Sequence, residues 1–226
     1  MKFRIIHPES DADFIEEYNS IEDAFETYKN MDIRIEEYKM DIAIEEKIRL
    51  VKELLLSVER DGMKELVEWA DREGFFEAPA SSIYHGNYKH GLLLHSINVY
   101  NAYVKLCKEY GIKVSRDSKI IVAFGHDFCK IKLYIESNNK YKPYNVDYNV
   151  YNQGHGKLSV ERIEKFIKLT DFEKTAIKCH MGTYTKDIEQ KELFGGFNDF
   201  AVKLLYFADE ISTNVLEIEN DKNKNN

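Results

Sequence analysis

The chain has 226 residues, 43% hydrophobic and 32% charged, enough for one domain with a true core and an appendage. Only three prolines and eleven glycines, amid runs of Glu, Lys, Ile and Leu, predict a mostly helical protein. The net charge of −8 sits at the front: residues 1–43 hold 5 Lys/Arg against 12 Asp/Glu and the rest 27 against 28, which disfavours tight, sequence-independent binding of long duplex nucleic acid.

Residues 2–6 (KFRII) read as a short strand or extended arm. From Phe14 onward apolar residues recur at steps of three and four through Tyr18, Ile21, Phe25, Tyr28, Met31, Ile35, Tyr38 and Ile42, a helical spacing. Residues 1–43 are therefore expected to be an acidic, helical segment. It either packs on the main domain or serves as a coiled-coil arm that makes a homo-oligomer. Packing is favoured, because the stripe is β-branched and tyrosine-rich and contains no leucine. The N-terminus has no signal-peptide h-region, and no apolar run approaches the roughly 20 residues that cross a bilayer. Cys107, Cys129 and Cys179 are odd in number and widely spaced, as expected of reduced thiols in a cytoplasmic protein.

The main domain is expected over residues 44–217. Residues 44–60 form an amphipathic helix broken at Asp61-Gly62, and residues 63–72 a second one carrying Trp69. A loop of small residues, 78–82, leads to a helix over 91–110 that ends at Gly111. Residues 118–128 predict a short buried helix. Residues 131–151 predict a β-hairpin around Ser137-Asn138-Asn139, with Tyr141, Tyr144, Tyr148 and Tyr151 as a surface flap or a wall for base stacking. Helix resumes over 156–169. Thr170 and Glu173 then make a capping box that opens a helix running through His180 to Gly182. A last helix spans about 199–217, and residues 218–226 read as a disordered tail.

Candidate ligands fall at or near helix ends in the order His95, His126-Asp127, His155, His180, Asp209. Leu92, Val99 and Tyr103 share a face with His95 and turn it inward, where a hydrogen-bonded core histidine is the plainer alternative. Asp127 follows Ile-Ile-Val-Ala-Phe, and Asp209 closes Leu-Leu-Tyr-Phe-Ala; a carboxylate buried there requires a cation or several donors. For Asp127 the partner is a metal, Lys130 or an arginine. His155 lies between two glycines, where backbone can approach closely. His180 alone also reads as a histidine favoured at a helix C-terminus. Together, four imidazoles and two carboxylates suit two divalent cations bridged by Asp127, with Mn, Fe, Co, Ni or Zn preferred over calcium. A structural zinc site would use thiolates.

On the motifs HGLLLHS, FGHDFCK, GHGKLS, IKCHMG and FADEIS the chain resembles the HD-domain superfamily of metal-dependent phosphohydrolases, across about residues 60–215. The fold this implies is an all-α HD-type helical bundle with a small β-hairpin insertion. The implied activity is cleavage of a phosphoester of a nucleotide or nucleic-acid end by a metal-activated hydroxide. By the resemblance, His95, His126, Asp127 and Asp209 hold one metal, and His155, His180 and bridging Asp127 the other. Catalysis is assigned to Asp127, Lys130 and His85, and substrate binding to Lys130, His85 and Lys157; His90 is a weaker alternative to His85 for protonating the leaving oxygen. Expected partners are a phosphorylated small molecule, a nucleotide or a single-stranded nucleic-acid end, and no membrane. Two other classes share part of the pattern: an HD-type di-iron oxygenase, and a non-catalytic nucleotide-binding module. Cys129 and His90 stand where glycine is usual in the superfamily.

Overall fold

The structure, a computed structural model, describes the strands within residues 2–37 and residues 43–84, 86–139, 141–184 and 199–217. The chain divides into two compact units, Met1–Ala43 and Ile44–Asn226. In the first, β1 (Lys2–Ile6) pairs antiparallel with both β2 (Phe14–Glu17) and β3 (Arg34–Glu37), in the order β2-β1-β3. The strand reading of residues 2–6 holds. The helical expectation is corrected at 14–17 and 34–37: each stretch is too short for its own alternation to compete with the longer-range three-and-four spacing, and backbone pairing to β1 decides its state. The other residues of that expected helix lie outside the described ones, as does the tail 218–226.

The second unit is a helical bundle with one small hairpin. Its helices are α1 (Ile44–Leu56), α2 (Met63–Arg72), α3 (Gly91–Glu109), α4 (Arg116–Gly125), α5 (Tyr148–Tyr151), α6 (His155–Ile163), α7 (Asp171–Cys179) and α8 (Phe200–Ile211). A 3-10 turn at Phe128–Lys130 follows α4, and a π-helical turn at Ser212–Leu216 extends α8. Strands β4 (Tyr134–Asn139) and β5 (Lys142–Val146) form the hairpin. No helix among the described residues is long and apolar enough to cross a membrane.

The core explains why the bundle has a fixed interior. Val99 and Tyr103 of α3 are fully buried, and the Tyr103 hydroxyl donates to the Ala201 carbonyl of α8 at 3.0 Å. All of Ile120–Gly125 in α4 is buried, so this helix delivers the two residues after it into the interior. Phe75 and Phe76 pack edge-on, 5.1 Å between ring centroids, and Phe75 also meets the Phe128 ring.

The capping box at Thr170 forms as expected: Thr170 Oγ1 accepts from the Glu173 amide at 3.2 Å, and Glu173 accepts from the Thr170 amide at 2.8 Å. Glu173 is also completely buried, accepting from Arg60 at 2.6 Å and Ser118 Oγ at 2.8 Å, so it ties α7 to α4 and to the link between α1 and α2. Burial opposes its charge, but Arg60, the Thr170 amide and Ser118 outweigh that and hold the carboxyl below its usual range. With the folded pKa depressed, this stabilisation is complete above the unfolded-state value of about 4.3 and fades as pH falls through and below it. Glu173→Ala leaves Arg60 without its buried partner and is expected to cost about 3 kcal/mol at pH 7. Urea melts at pH 7 and pH 3.5 test this, the gap between parent and variant narrowing at the lower pH.

Candidate metal centre

Four elements bring histidines to one point inside the bundle. His95 comes from the second turn of α3, His126 caps the C-terminus of α4, His155 opens α6 and His180 caps the C-terminus of α7. Asp127 enters two residues after α4, and Asp209 from the last turn of α8. Helix α6 holds the His-Asp segment in place. Ser159 Oγ donates to the His126 carbonyl at 2.7 Å and accepts from the Cys129 amide at 2.9 Å. Arg162 Nη1 donates to the carbonyls of Phe128, Cys129 and Ile131 at 2.6, 3.2 and 2.9 Å, closing the end of the 3-10 turn.

The two oxygens of Asp127 face two sets of imidazoles. Oδ2 lies 3.5 Å from His95 Nε2 and 3.3 Å from His126 Nε2, and His95 Nε2 is 3.2 Å from Asp209 Oδ1. Oδ1 lies 2.9 Å from His155 Nε2 and 3.6 Å from His180 Nε2. His95, His126 and Asp209 offer donor atoms within 4.8 Å of one another; so do His126, Asp127 and His180, and so do Asp127, Cys129 and His155. Among the six expected ligands, His95, His126, Asp127 and His180 are buried, His155 is 26% exposed and Asp209 15%.

Each ring is oriented by its other nitrogen. His126 Nδ1 donates to the Ala123 carbonyl at 2.8 Å, and His180 Nδ1 to the Ile177 carbonyl at 2.7 Å. A carbonyl only accepts, so these nitrogens carry the protons and both Nε2 atoms present lone pairs to the centre. His95 Nδ1 sits 2.8 Å from Glu217 Oε1, and His155 Nδ1 3.3 Å from Cys129 Sγ. All four rings therefore turn Nε2 inward.

That arrangement fits divalent cations. His180 Nε2 is buried and has no hydrogen-bond partner among the described residues; at 3.6 Å Asp127 Oδ1 is beyond hydrogen-bonding range. His95 Nε2 and His126 Nε2 lie only 3.3 Å apart, so two lone pairs meet unless a proton or a cation stands between them. The donor set, imidazole nitrogen with carboxylate oxygen, suits first-row transition metals. His95, His126, Asp127 and Asp209 could hold one ion, and Asp127, His155 and His180 another.

The electrostatics agree. Burial works against charge on His95, yet Asp209 and Glu217 hold its pKa up at about 10. Burial likewise opposes charge on His155, and Cys129 and Asp127 raise it to about 10. Asp127 and Asp209 are held below the usual carboxylate range despite burial, Asp127 chiefly by Lys130 and His126 and Asp209 by His95. His180 is pushed down, first by burial. The pocket thus holds two ionised carboxylates and favours positive charge beside them.

Lys130 lies where the sequence places it, one turn after Asp127, its ammonium 2.7 Å from Asp127 Oδ2. It also lines a cavity of about 220 Å³ together with Lys89, Lys132, Tyr134 and Tyr144. Three glutamates, Glu73, Glu77 and Glu136, share that lining, so its formal charges balance. Lys157 is not brought to the centre; its side chain is 60% exposed and its ammonium faces Glu161 at 3.9 Å. His85 lies outside the described residues. His90 adopts a left-handed φ of 71°, the conformation glycine favours, and its Nδ1 donates to the Phe76 carbonyl at 2.7 Å, which makes it an anchor for the start of α3. Of the four tyrosines expected in the hairpin, Tyr144 on β5 lines the cavity and Tyr141 is exposed, whereas Tyr148 and Tyr151 fall in α5 instead and are exposed. Sequence reasoning missed Tyr134, Ser159, Arg162 and Glu217.

Over 149 residues the chain is 28% identical to a Methanocaldococcus jannaschii protein named dihydroneopterin 2',3'-cyclic phosphate phosphodiesterase. The match covers 63% of this chain and 54% of that one, so the chain spans about half the length of this relative. No family model matches the chain, and no solved structure does.

Proposed function

We propose that this chain is a metal-dependent phosphohydrolase of the HD type, acting on a phosphoester of a nucleotide-like small molecule. The observation that carries the reading is the pair of Asp127 oxygens, each faced by inward-turned imidazoles, one of which has an orphaned nitrogen. The relative's name supports phosphodiester chemistry on a planar heterocycle, and Tyr134 and Tyr144 provide aromatic surface for such a ring beside the centre. Ions bound here supply Lewis acidity, drawing charge from phosphoryl oxygens and lowering the pKa of a water.

The side chains supply the rest. Lys130 is the group shared by the centre and the cavity, and in this reading its ammonium, now on Asp127, takes a non-bridging phosphoryl oxygen. Burial opposes its charge, but Asp127 keeps its pKa above the ordinary lysine value, so it binds as a fixed cation and does not act as a base. His85, which lies outside the described residues, stays the proposed acid for the leaving oxygen on its place in the motif alone. Lys157 is left with at most an outer contact to substrate.

The test is a panel with added Mn²⁺: bis-p-nitrophenyl phosphate, 2',3'-cyclic nucleotides and a phosphomonoester. Turnover that chelation abolishes is expected. Lys130→Met should reduce it about 100- to 1,000-fold, as loss of one donor to the transition state, while bound metal stays at parent levels. Activity indifferent to chelation contradicts the reading, and oxygen uptake without phosphate release would place the chain among the oxygenases.

A further inference from the structure

The four imidazoles differ in how their outer nitrogens are satisfied. His126 and His180 sit at helix C-termini, where the last carbonyls lack an intrahelical donor; each ring uses the carbonyl three residues back. His155 leans on Cys129. His95 has no such recourse, because it lies inside a nineteen-residue helix whose nearby carbonyls are engaged: that of Leu92 also accepts from Ser96 Oγ at 2.8 Å. Its Nδ1 needs an acceptor from another element, and Glu217 Oε1 provides it at 2.8 Å.

Glu217 reaches that position through a local irregularity. It lies eight residues after Asp209, which in a regular α-helix turns it about 80° off the Asp209 face. The π-helical turn at Ser212–Leu216 absorbs one residue, so Glu217 takes the direction of a seventh residue, within about 20° of Asp209. One side of α8 and its extension thus presents two carboxylates to one imidazole, Asp209 to Nε2 and Glu217 to Nδ1. Glu217 is 5% exposed, and a buried carboxylate beside a ring nitrogen needs that contact.

We infer that Glu217 is a positioning residue for the metal centre: it keeps the proton of His95 on Nδ1 and aims the Nε2 lone pair at the ion. The inference rests on reading the cluster as a metal centre. A carboxylate behind a ligating histidine fixes its tautomer and raises its basicity, and losing one typically weakens metal binding 10- to 100-fold.

The experiment titrates Mn²⁺ into parent, Glu217→Gln and Glu217→Ala by calorimetry and records the melting temperature of each with and without metal. A ¹⁵N spectrum of histidine-labelled protein loaded with diamagnetic Zn²⁺ reports which His95 nitrogen carries the proton. Glu217→Ala is expected to bind one of its ions about 10- to 100-fold more weakly and to lose most of the metal-induced rise in melting temperature. Its metal-free melting temperature should stay near the parent's. Glu217→Gln keeps an acceptor and the Nδ1–H form, and should fall between the two. Parent-like metal affinity in Glu217→Ala overturns the assignment, as does a parent spectrum in which His95 Nδ1 carries no proton; the latter decides the matter even if the alanine variant fails to fold. A parent protein that takes up no Mn²⁺ overturns the metal-centre reading itself, an outcome distinct from either.

Discussion

Asp127→Ala is expected to abolish metal binding and turnover together. Both of its oxygens are committed, one to each set of imidazoles, so no single ligand elsewhere can replace it. Lewis-acid stabilisation amounts to several kcal/mol; at about 1.4 kcal/mol per tenfold, its loss lowers the rate about a thousand-fold or more. The fold weakens too. Lys130 is only 12% exposed and loses its counter-charge, which for a buried pair costs about 3–5 kcal/mol. Asp127→Asn separates the effects: it retains volume and hydrogen-bonding capacity, so it should melt closer to the parent while still failing to hold metal. Metal analysis after dialysis, run beside the phosphodiester assay, checks both variants. Full activity in either one removes Asp127 from the chemistry.

Gly156→Ala should distort the centre, most of all at its His155–His180 end. A Cβ at Gly156 would lie 2.6 Å from the Ile177 carbonyl oxygen, 2.7 Å from that of Lys178 and 2.8 Å from Lys178 Cα. These are backbone atoms, so α6 must move away from α7 as a body. That separates His155 from His180, whose ring centroids stand 5.0 Å apart, and draws His155 off Asp127. Overpacking of this kind costs about 1–3 kcal/mol and more where backbone resists. His95 and Asp209 come from α3 and α8 and are left in place, whereas Ser159 and Arg162 of α6 carry part of the movement to the His126–Ile131 segment. The expected result is weaker metal binding, most of all at the His155–His180 end, with activity reduced at least about tenfold. Parental metal binding and activity would show that α6 does not set the geometry.

The legible part of the site is the part written in local pattern. An apolar run followed by His-Asp forces that pair inward, and α4 indeed buries every residue from Ile120 to Gly125. Thr170 and Glu173 carry their cap in their spacing, although Glu173's links to Arg60 and Ser118 are tertiary and invisible there. The inward face of His95 follows from Leu92, Val99 and Tyr103. Glu217 was not readable, because its direction depends on a π-turn that shifts the helical register by one residue. Arg162 and Ser159 look like ordinary helix residues until α6 is docked on the turn they staple. In the N-terminal unit the stripe from Phe14 misled, since Phe14–Glu17 and Arg34–Glu37 take their form from pairing with β1. Three-and-four spacing reports a face to bury, and it cannot report which partner strand lies alongside.

The most direct measurement of the central claim is an anomalous difference map from crystals of the protein grown with Mn²⁺. Two peaks are predicted, one among His95, His126, Asp127 and Asp209 and one among Asp127, His155 and His180, with Asp127 touching both. A map with no peak at Asp127, or with manganese only at surface carboxylates, contradicts the account.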